Sequence, residues 1–267
     1  MHGKISQQTL LHSIHSLLLL SLFYLPVSTA NATAKCPASF LTQSVIIFEA
    51  IQICATADTP EDKIQHAANV AAAWLDNDLD GRADESKVIK ALQQNRATLV
   101  MAPDDFSDKQ FDALETAFQS GRVLQDLYAT ETNPGYNRRD ASQEELHHLL
   151  INAGWMQVYP ELFGVSVHQP SALFRQWQQA ERQGYYHYDD PSCDDECKAM
   201  EFHYLSAAAY LESKADLYSD EMRIKNRTQL RQKLPVVIRL FESNDYSYPH
   251  NHWPTGQYAF STAIKWQ

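Results

Sequence analysis

Apolar and polar residues follow two rhythms along this chain, and the change of rhythm marks its elements. Val45 to Ala55 (VIIFEAIQICA) is β-branched and almost continuously apolar, which predicts one largely buried strand. Thr59-Pro60-Glu61-Asp62 then predicts a helix start, with a capping threonine, proline at the first helical position and two acids in the first turn. Ile64, Ala67, Ala68, Ala71, Trp74 and Leu75 recur at helical spacing and predict its inner stripe. A second helix is expected from Val88 to Gln94, and Thr98 to Met101 reads as a strand ended by Pro103. Phe111, Leu114, Ala117 and Phe118 give a helix over 106–118 its inner face, and 122–128 is a further strand before the turn at Asn133-Pro134-Gly135. Beyond it the rhythm is helical: from Glu144 to about Gln157, from Ser171 to Gln183 with Gly184 as its stop, and from Asp194 to about Leu211. The aromatic, turn-rich stretch from Tyr246 to Gln267 is expected to be an irregular packed tail. The predicted class is α+β, a small N-terminal sheet with helices and a mainly helical C-terminal half.

The first 30 residues break this pattern. Lys4, the apolar run Leu17 to Val27 and small residues at Ser28-Thr29-Ala30 or Ala32-Thr33-Ala34 have the order of a secretory signal. The run is too short to span a bilayer comfortably, and no later segment approaches that length, so no stable membrane insertion is expected. Residues 31–267 show no linker or repeat and are expected to form a single globular domain, secreted or periplasmic. A net charge of −11 argues against nucleic acid as a partner, because neutralising phosphates needs a basic face. All four cysteines follow the leader, which suits an oxidising route. Their spacing suggests Cys36–Cys54 and Cys193–Cys197 as local disulfides; a cysteine zinc site competes, but only one close pair exists.

The segment 76–87 changes the picture further. Asp76, Asp78, Asp80 and Asp84 occupy positions one, three, five and nine of an EF-hand-like loop, and Gly81 stands at the sixth, where the chain must turn sharply. Arg82 would contribute its backbone carbonyl. Position twelve is Lys87 rather than glutamate, so Glu85 is the candidate to close the shell, with Asp84 acting through water. Crowded carboxylates repel unless a cation neutralises them, and Ca2+ in a structural role is the expected ligand. The loop resembles the Asp-x-Asp-x-Asp-Gly calcium loops of secreted proteins.

Glu144-Glu145-Leu146-His147-His148 holds the candidate chemistry. Residues four apart share a helix face, so Glu144 and His148 can reach one metal ion, and Glu145, one step round, would face the water such an ion activates. The segment resembles the His-Glu-x-x-His helix of zincin metallopeptidases with glutamate in place of the first histidine. That resemblance implies a zincin-like fold, Zn2+, a peptide or protein substrate, and Glu145 as general base. In the branch whose third ligand is glutamate, that ligand comes from a later helix; Glu201 matches it by order, with His203 and His147 as alternatives. Two carboxylates with one imidazole make a harder site, more tolerant of manganese, iron or calcium and less activating towards water. The competing description is local: Ser142-x-x-Glu145 is a capping box on an ordinary amphipathic helix. The first description leads to a secreted metal-dependent hydrolase, the second to a non-catalytic extracellular calcium-binding or adhesion protein. His250-x-His252 and the tyrosines Tyr185, Tyr186 and Tyr188 are expected to serve packing before chemistry.

Overall fold

Val45 to Ala55 does not form one strand. In the structure, a computed structural model describing residues 35–135 and 138–267, β1 (Leu41–Ile47) and β2 (Ile51–Thr56) are antiparallel partners, with Val45 opposite Ile53 and Ile47 opposite Ile51. Phe48 and Glu49 turn the chain between them at φ of 48° and 56°. That left-handed conformation normally recruits glycine or asparagine, so the turn carries no sequence signal. The leader expected over residues 1–30 lies outside the described residues.

β3 (Thr98–Ala102) pairs parallel to β2, and β4 (Leu124–Tyr128) parallel to β3. The tail expected to be irregular ends in β5 (Ile264–Trp266), antiparallel to β1, after a short 3-10 turn at Ser261–Ala263. The strand order is β4-β3-β2-β1-β5. β3 is buried throughout because the sheet is covered on both faces. Leu99 and Met101 join Ile53, Ala55 and Leu127 in the main core, while Val100 and Ala102 join Cys54, Phe106, Leu114 and Leu124 in a smaller one. Truncating a buried leucine such as Leu99 to alanine would cost about 2–5 kcal/mol.

Helix α1 (Glu61–Leu75) packs on β1 and β2 with the predicted stripe buried. Its expected threonine cap is absent: the Thr59 hydroxyl bonds the Thr56 hydroxyl at 2.9 Å and the Met101 carbonyl at 3.4 Å. α2 (Ser86–Gln94) follows the acidic loop, and α3 (Asp108–Gln119) starts with a reciprocal Ser107–Gln110 capping box. α4 (Ala141–Leu150) runs through a π turn (Ile151–Trp155) into α5 (Met156–Val158). The residue at the π turn must be small, since a Cβ on Gly154 would lie 2.8 Å from Val88 Cγ1 of α2. α6 (Pro160–Phe163), α7 (Ala172–Arg182), α8 (Asp195–Leu211), α9 (Arg227–Lys233) and α10 (Pro235–Phe241) make the C-terminal half helical. Ser171 and Asp194 cap α7 and α8 with their side chains.

Both expected disulfides are in place, Cys36–Cys54 with an S–S distance of 2.06 Å and Cys193–Cys197 with 2.05 Å. Among the described residues no helix is long and apolar enough to cross a membrane.

Candidate metal centres

The start of α4 is fixed from outside the motif. Asp140 Oδ1 accepts hydrogen bonds from Ser142 N at 3.1 Å, Ser142 Oγ at 2.6 Å and Asn133 N at 2.9 Å. Its Oδ2 lies 2.6 Å from His66 Nε2. Burial opposes ionisation of Asp140, but the His66 contact and these donors outweigh it and hold the carboxyl below its ordinary range. The Ser142–Glu145 capping box therefore does not form. Glu145 Oε2 instead accepts a hydrogen bond from Gln125 Nε2 on β4. With the cap supplied by Asp140, both glutamates are free to face elsewhere.

They face α8. Glu144, Glu145 and His148 form a group whose ligand atoms lie within 4.8 Å of one another. His148 Nε2 stands 3.7 Å from Glu201 Oε2, and His148 Nδ1 stands 3.7 Å from Glu145 Oε2. Glu144 also hydrogen-bonds Glu201. Two donors each about 2.1 Å from one tetrahedral ion sit roughly 3.4 Å apart, close to the His148–Glu201 spacing. His148 and Glu201 are only 6% and 4% exposed, and the imidazole Nε2 has no hydrogen-bond partner. The Nδ1 atoms of His147 and His203 are likewise without a hydrogen bond; what sets His148 Nε2 apart is the carboxylate of Glu201 at 3.7 Å, which leaves room for an ion between them.

Without a cation, protons and a guanidinium do the balancing. Burial first, and then the nearby Glu201 carboxylate, push the Glu144 carboxyl up to about 8, against the pull of Arg139 and His148. Burial opposes charge on His148, but Glu201, Glu145 and Glu144 overcome it and raise the imidazole to about 9. Arg139 Nη2 lies 2.8 Å from Glu144 Oε2, Nε 3.6 Å from Asp216 Oδ1 and Nη1 3.9 Å from Glu221 Oε2. Burial disfavours the guanidinium charge, and Glu144, Tyr204 and Asp216 more than restore it. Asp216 in turn accepts a hydrogen bond from Tyr204 OH at 2.5 Å. Arg139, Asp216 and Gln125 are the members of the site that sequence reasoning missed.

The alternative ligands have other partners. One helical step from His148, His147 turns into the aromatic core, with Nε2 3.3 Å from Tyr248 OH. His203 Nε2 meets the same hydroxyl at 2.9 Å, and its ring stacks on Phe163. Burial holds both imidazoles neutral, His203 down to about 3 and His147 well below its usual value.

The acidic loop is built differently. Asp76, fully buried, accepts from Asp80 N at 3.0 Å, Gly81 N at 2.9 Å and the Tyr258 hydroxyl. Asp78 also accepts from Asp80 N at 3.2 Å, and Asp80 from Arg82 N at 2.9 Å. Asp84 takes Asn77 N at 2.7 Å; burial, then the surrounding aspartates, raise its carboxyl to about 6 despite that bond. Asp76, Asp78 and Asp84 have oxygens within 4.8 Å of one another. Glu85, expected to close the shell, instead caps α2 by accepting from Lys87 N and takes Ser247 N with its other oxygen, both at 3.2 Å. Asp84, and not Glu85, is the later acid of the segment that lies within ligand distance of Asp76 and Asp78. Asn77 binds the tail: its carbonyl accepts from Asn251 N and His252 N, and its amide donates to His252 O and Ala73 O.

His250 Nδ1 bonds the Tyr248 carbonyl at 2.7 Å, and Tyr186 is a buried residue whose hydroxyl donates to Lys198 O at 3.0 Å, both packing roles. No protein-family model matches the chain, nor does a curated protein or a solved structure.

Proposed function

We propose that this chain is a secreted or periplasmic divalent-metal-dependent hydrolase, most closely a zincin-like peptidase, whose ion is held by Glu144, His148 and Glu201. The observation that carries the reading is the buried, unpartnered Nε2 of His148 at metal-ligand spacing from Glu201 Oε2. The donor set fits a hard or borderline ion such as Zn2+, Mn2+ or Fe2+. When bound, such an ion polarises water and carries negative charge that develops on a substrate carbonyl.

The remaining steps belong to the chain. Arg139 offsets the charge of Glu144 and fixes its rotamer. Glu145, whose side chain is 21% exposed, lies nearest to solvent among the three glutamates, and its Oε1 takes no hydrogen bond among the described residues. That oxygen is the proton acceptor in this reading. β4 lies at the end of the strand order with one side unpaired among the described residues, and Gln125 links it to Glu145. An extended peptide pairing there would run beside the ion. Ca2+ at Asp76, Asp78 and Asp84 has a structural part.

The non-catalytic calcium-binding or adhesion reading has one observation of its own: Arg139 already satisfies Glu144. Loading the purified mature chain with Zn2+ or Mn2+, followed by elemental analysis and assay on a peptide library, separates the two. Stoichiometric metal lost in His148→Ala, with hydrolysis lost but metal kept in Glu145→Gln, supports the hydrolase. If no transition metal binds, the reading is abandoned.

A further inference from the structure

His148 is bracketed by carboxylates on both ring nitrogens. Nε2 faces Glu201 Oε2 and Nδ1 faces Glu145 Oε2, each at 3.7 Å. The two sides differ in how they are held. On the Nε2 side the imidazole has no hydrogen bond and meets the paired carboxylates of Glu144 and Glu201. On the Nδ1 side the facing oxygen is fixed by Gln125, a residue of a different element, which donates to that same Oε2. A loose surface glutamate would need no such anchor. A histidine that binds metal through one nitrogen commonly donates its other N–H to an oxygen, which sets the tautomer and the plane of the ring.

We infer that Glu145 is a positioning residue for His148: through Oε2, steadied by Gln125, it holds the Nδ1–H form and turns the Nε2 lone pair towards Glu144 and Glu201. This rests on the metal-site reading above and adds to it. It divides the labour of one carboxylate, with Oε2 orienting the ligand and Oε1 left for proton transfer. It also explains why a residue three positions before His148, and not only the ligands themselves, faces into the site. A residue acting solely as base would have no need of the Nδ1 contact or of the bond from β4.

Metal affinity separates the two jobs, because the base role does not enter it. Zn2+ and Co2+ binding to the full mature chain would be measured by competition with a chromophoric chelator, with the visible spectrum of the Co2+ form as a second readout. Glu145→Gln keeps an oxygen for Nδ1–H and should retain affinity within a few-fold, about 3-fold or less, and the Co2+ spectrum. Glu145→Ala should weaken binding by about 10–100-fold and alter the spectrum, and Gln125→Leu should do the same to a smaller degree. Equal affinity and identical spectra in wild type and Glu145→Ala overturn the inference.

Failure of the metal site itself would look different, since wild type would then bind nothing. In that event the 15N resonances of His148 in the metal-free protein, recorded above pH 9 where the imidazole is neutral, still decide. An Nδ1 signal moved by Glu145→Ala and preserved in Glu145→Gln supports positioning, and an Nδ1 signal indifferent to both overturns it. Circular dichroism of each variant excludes misfolding as the cause.

Discussion

Around the 76–85 loop, the backbone N–H groups of Asn77, Asp80, Gly81 and Arg82 point at the aspartates. On α4 and α8 the carboxylates face one another, an imidazole and a guanidinium instead. Both regions gather acids within ligand distance, yet the loop satisfies most of them by its own turn, whereas the helices leave His148 Nε2 without a partner. Backbone amides are fixed dipoles that neutralise a carboxylate at no cost in side-chain freedom, and a helix interior has none to spare because its N–H groups are committed. Proximity of acids is therefore a weak sign of a cation, and an unmet buried donor or acceptor is a stronger one.

The contrast breaks most visibly at Glu201. Glu201→Ala should lower Zn2+ or Mn2+ affinity by more than about 100-fold, beyond the usual range of outer-shell changes. Calcium titration of the same variant should be unchanged, because no loop residue touches α8 in the hydrogen bonds described. A parallel loss of both would mean the two regions are one cooperative site.

Next comes the seam between the regions, where α2 leaves the loop and packs on the π turn that continues α4. Gly154→Ala places a methyl 2.8 Å from Val88 Cγ1 and 3.3 Å from Leu92. Overpacking of this kind costs about 1–3 kcal/mol, or about 2–4 °C in Tm per kcal/mol for a domain of this size. Val88→Ala in the same background should recover part of that loss in a thermal melt.

Asp140→Ala should cost about 0.5–2 kcal/mol at neutral pH, the usual range for a lost cap. Because folding depresses the Asp140 carboxyl, its contribution is complete above the ordinary value of 3.8 and disappears as pH falls through the lower folded value. Urea denaturation of wild type and variant should therefore converge in strong acid and separate above about pH 4.

The smallest effect is a slope. In chelator, His148 is raised from 6.5 to about 9 on folding, so it stabilises fully below the lower value and that stabilisation is lost as pH climbs to the higher. Glu144, raised from 4.5 to about 8, acts in the same direction, while Asp84 of the loop is spent by about 6. Tm should fall between pH 7 and 9 in metal-free protein, and the fall should flatten in Glu201→Ala. A slope unaltered by that substitution would place its origin elsewhere.

The chain makes much of this legible and hides the rest for physical reasons. Periodicity located α1, α2, α3, α7 and α8, since their stripes and caps are local properties. The Phe48–Glu49 turn was invisible because its backbone lacks the residues that usually adopt it. β5 was invisible because three residues carry no period, and its pairing partner lies more than 200 positions away. At the candidate site, helical spacing brought Glu144 and His148 together, and chain order suggested Glu201. Arg139 and Gln125 could not be read that way. Arg139 precedes the helix without any motif, and Gln125 reaches Glu145 only because β4 lies beside α4. In the acidic loop Asp76, Asp78 and Asp84 come within ligand distance of one another while Asp80 is not in that group, and Glu85 caps α2 and binds Ser247 N, contacts that spacing in the chain does not show.

The links from the loop to the tail have a consequence for how the protein is made. Asp76 receives its hydroxyl from Tyr258, 182 positions later, and Asn77 holds Asn251 and His252, 174 and 175 positions later. A chain that emerges from its N-terminus can shape α1 and the loop early, but these groups stay unmet until residues 251–258 have also been released. Completion of the loop is thus a late checkpoint, and a chain cut before Asn251 would emerge with Asp76 and Asn77 missing partners supplied by Tyr258, Asn251 and His252.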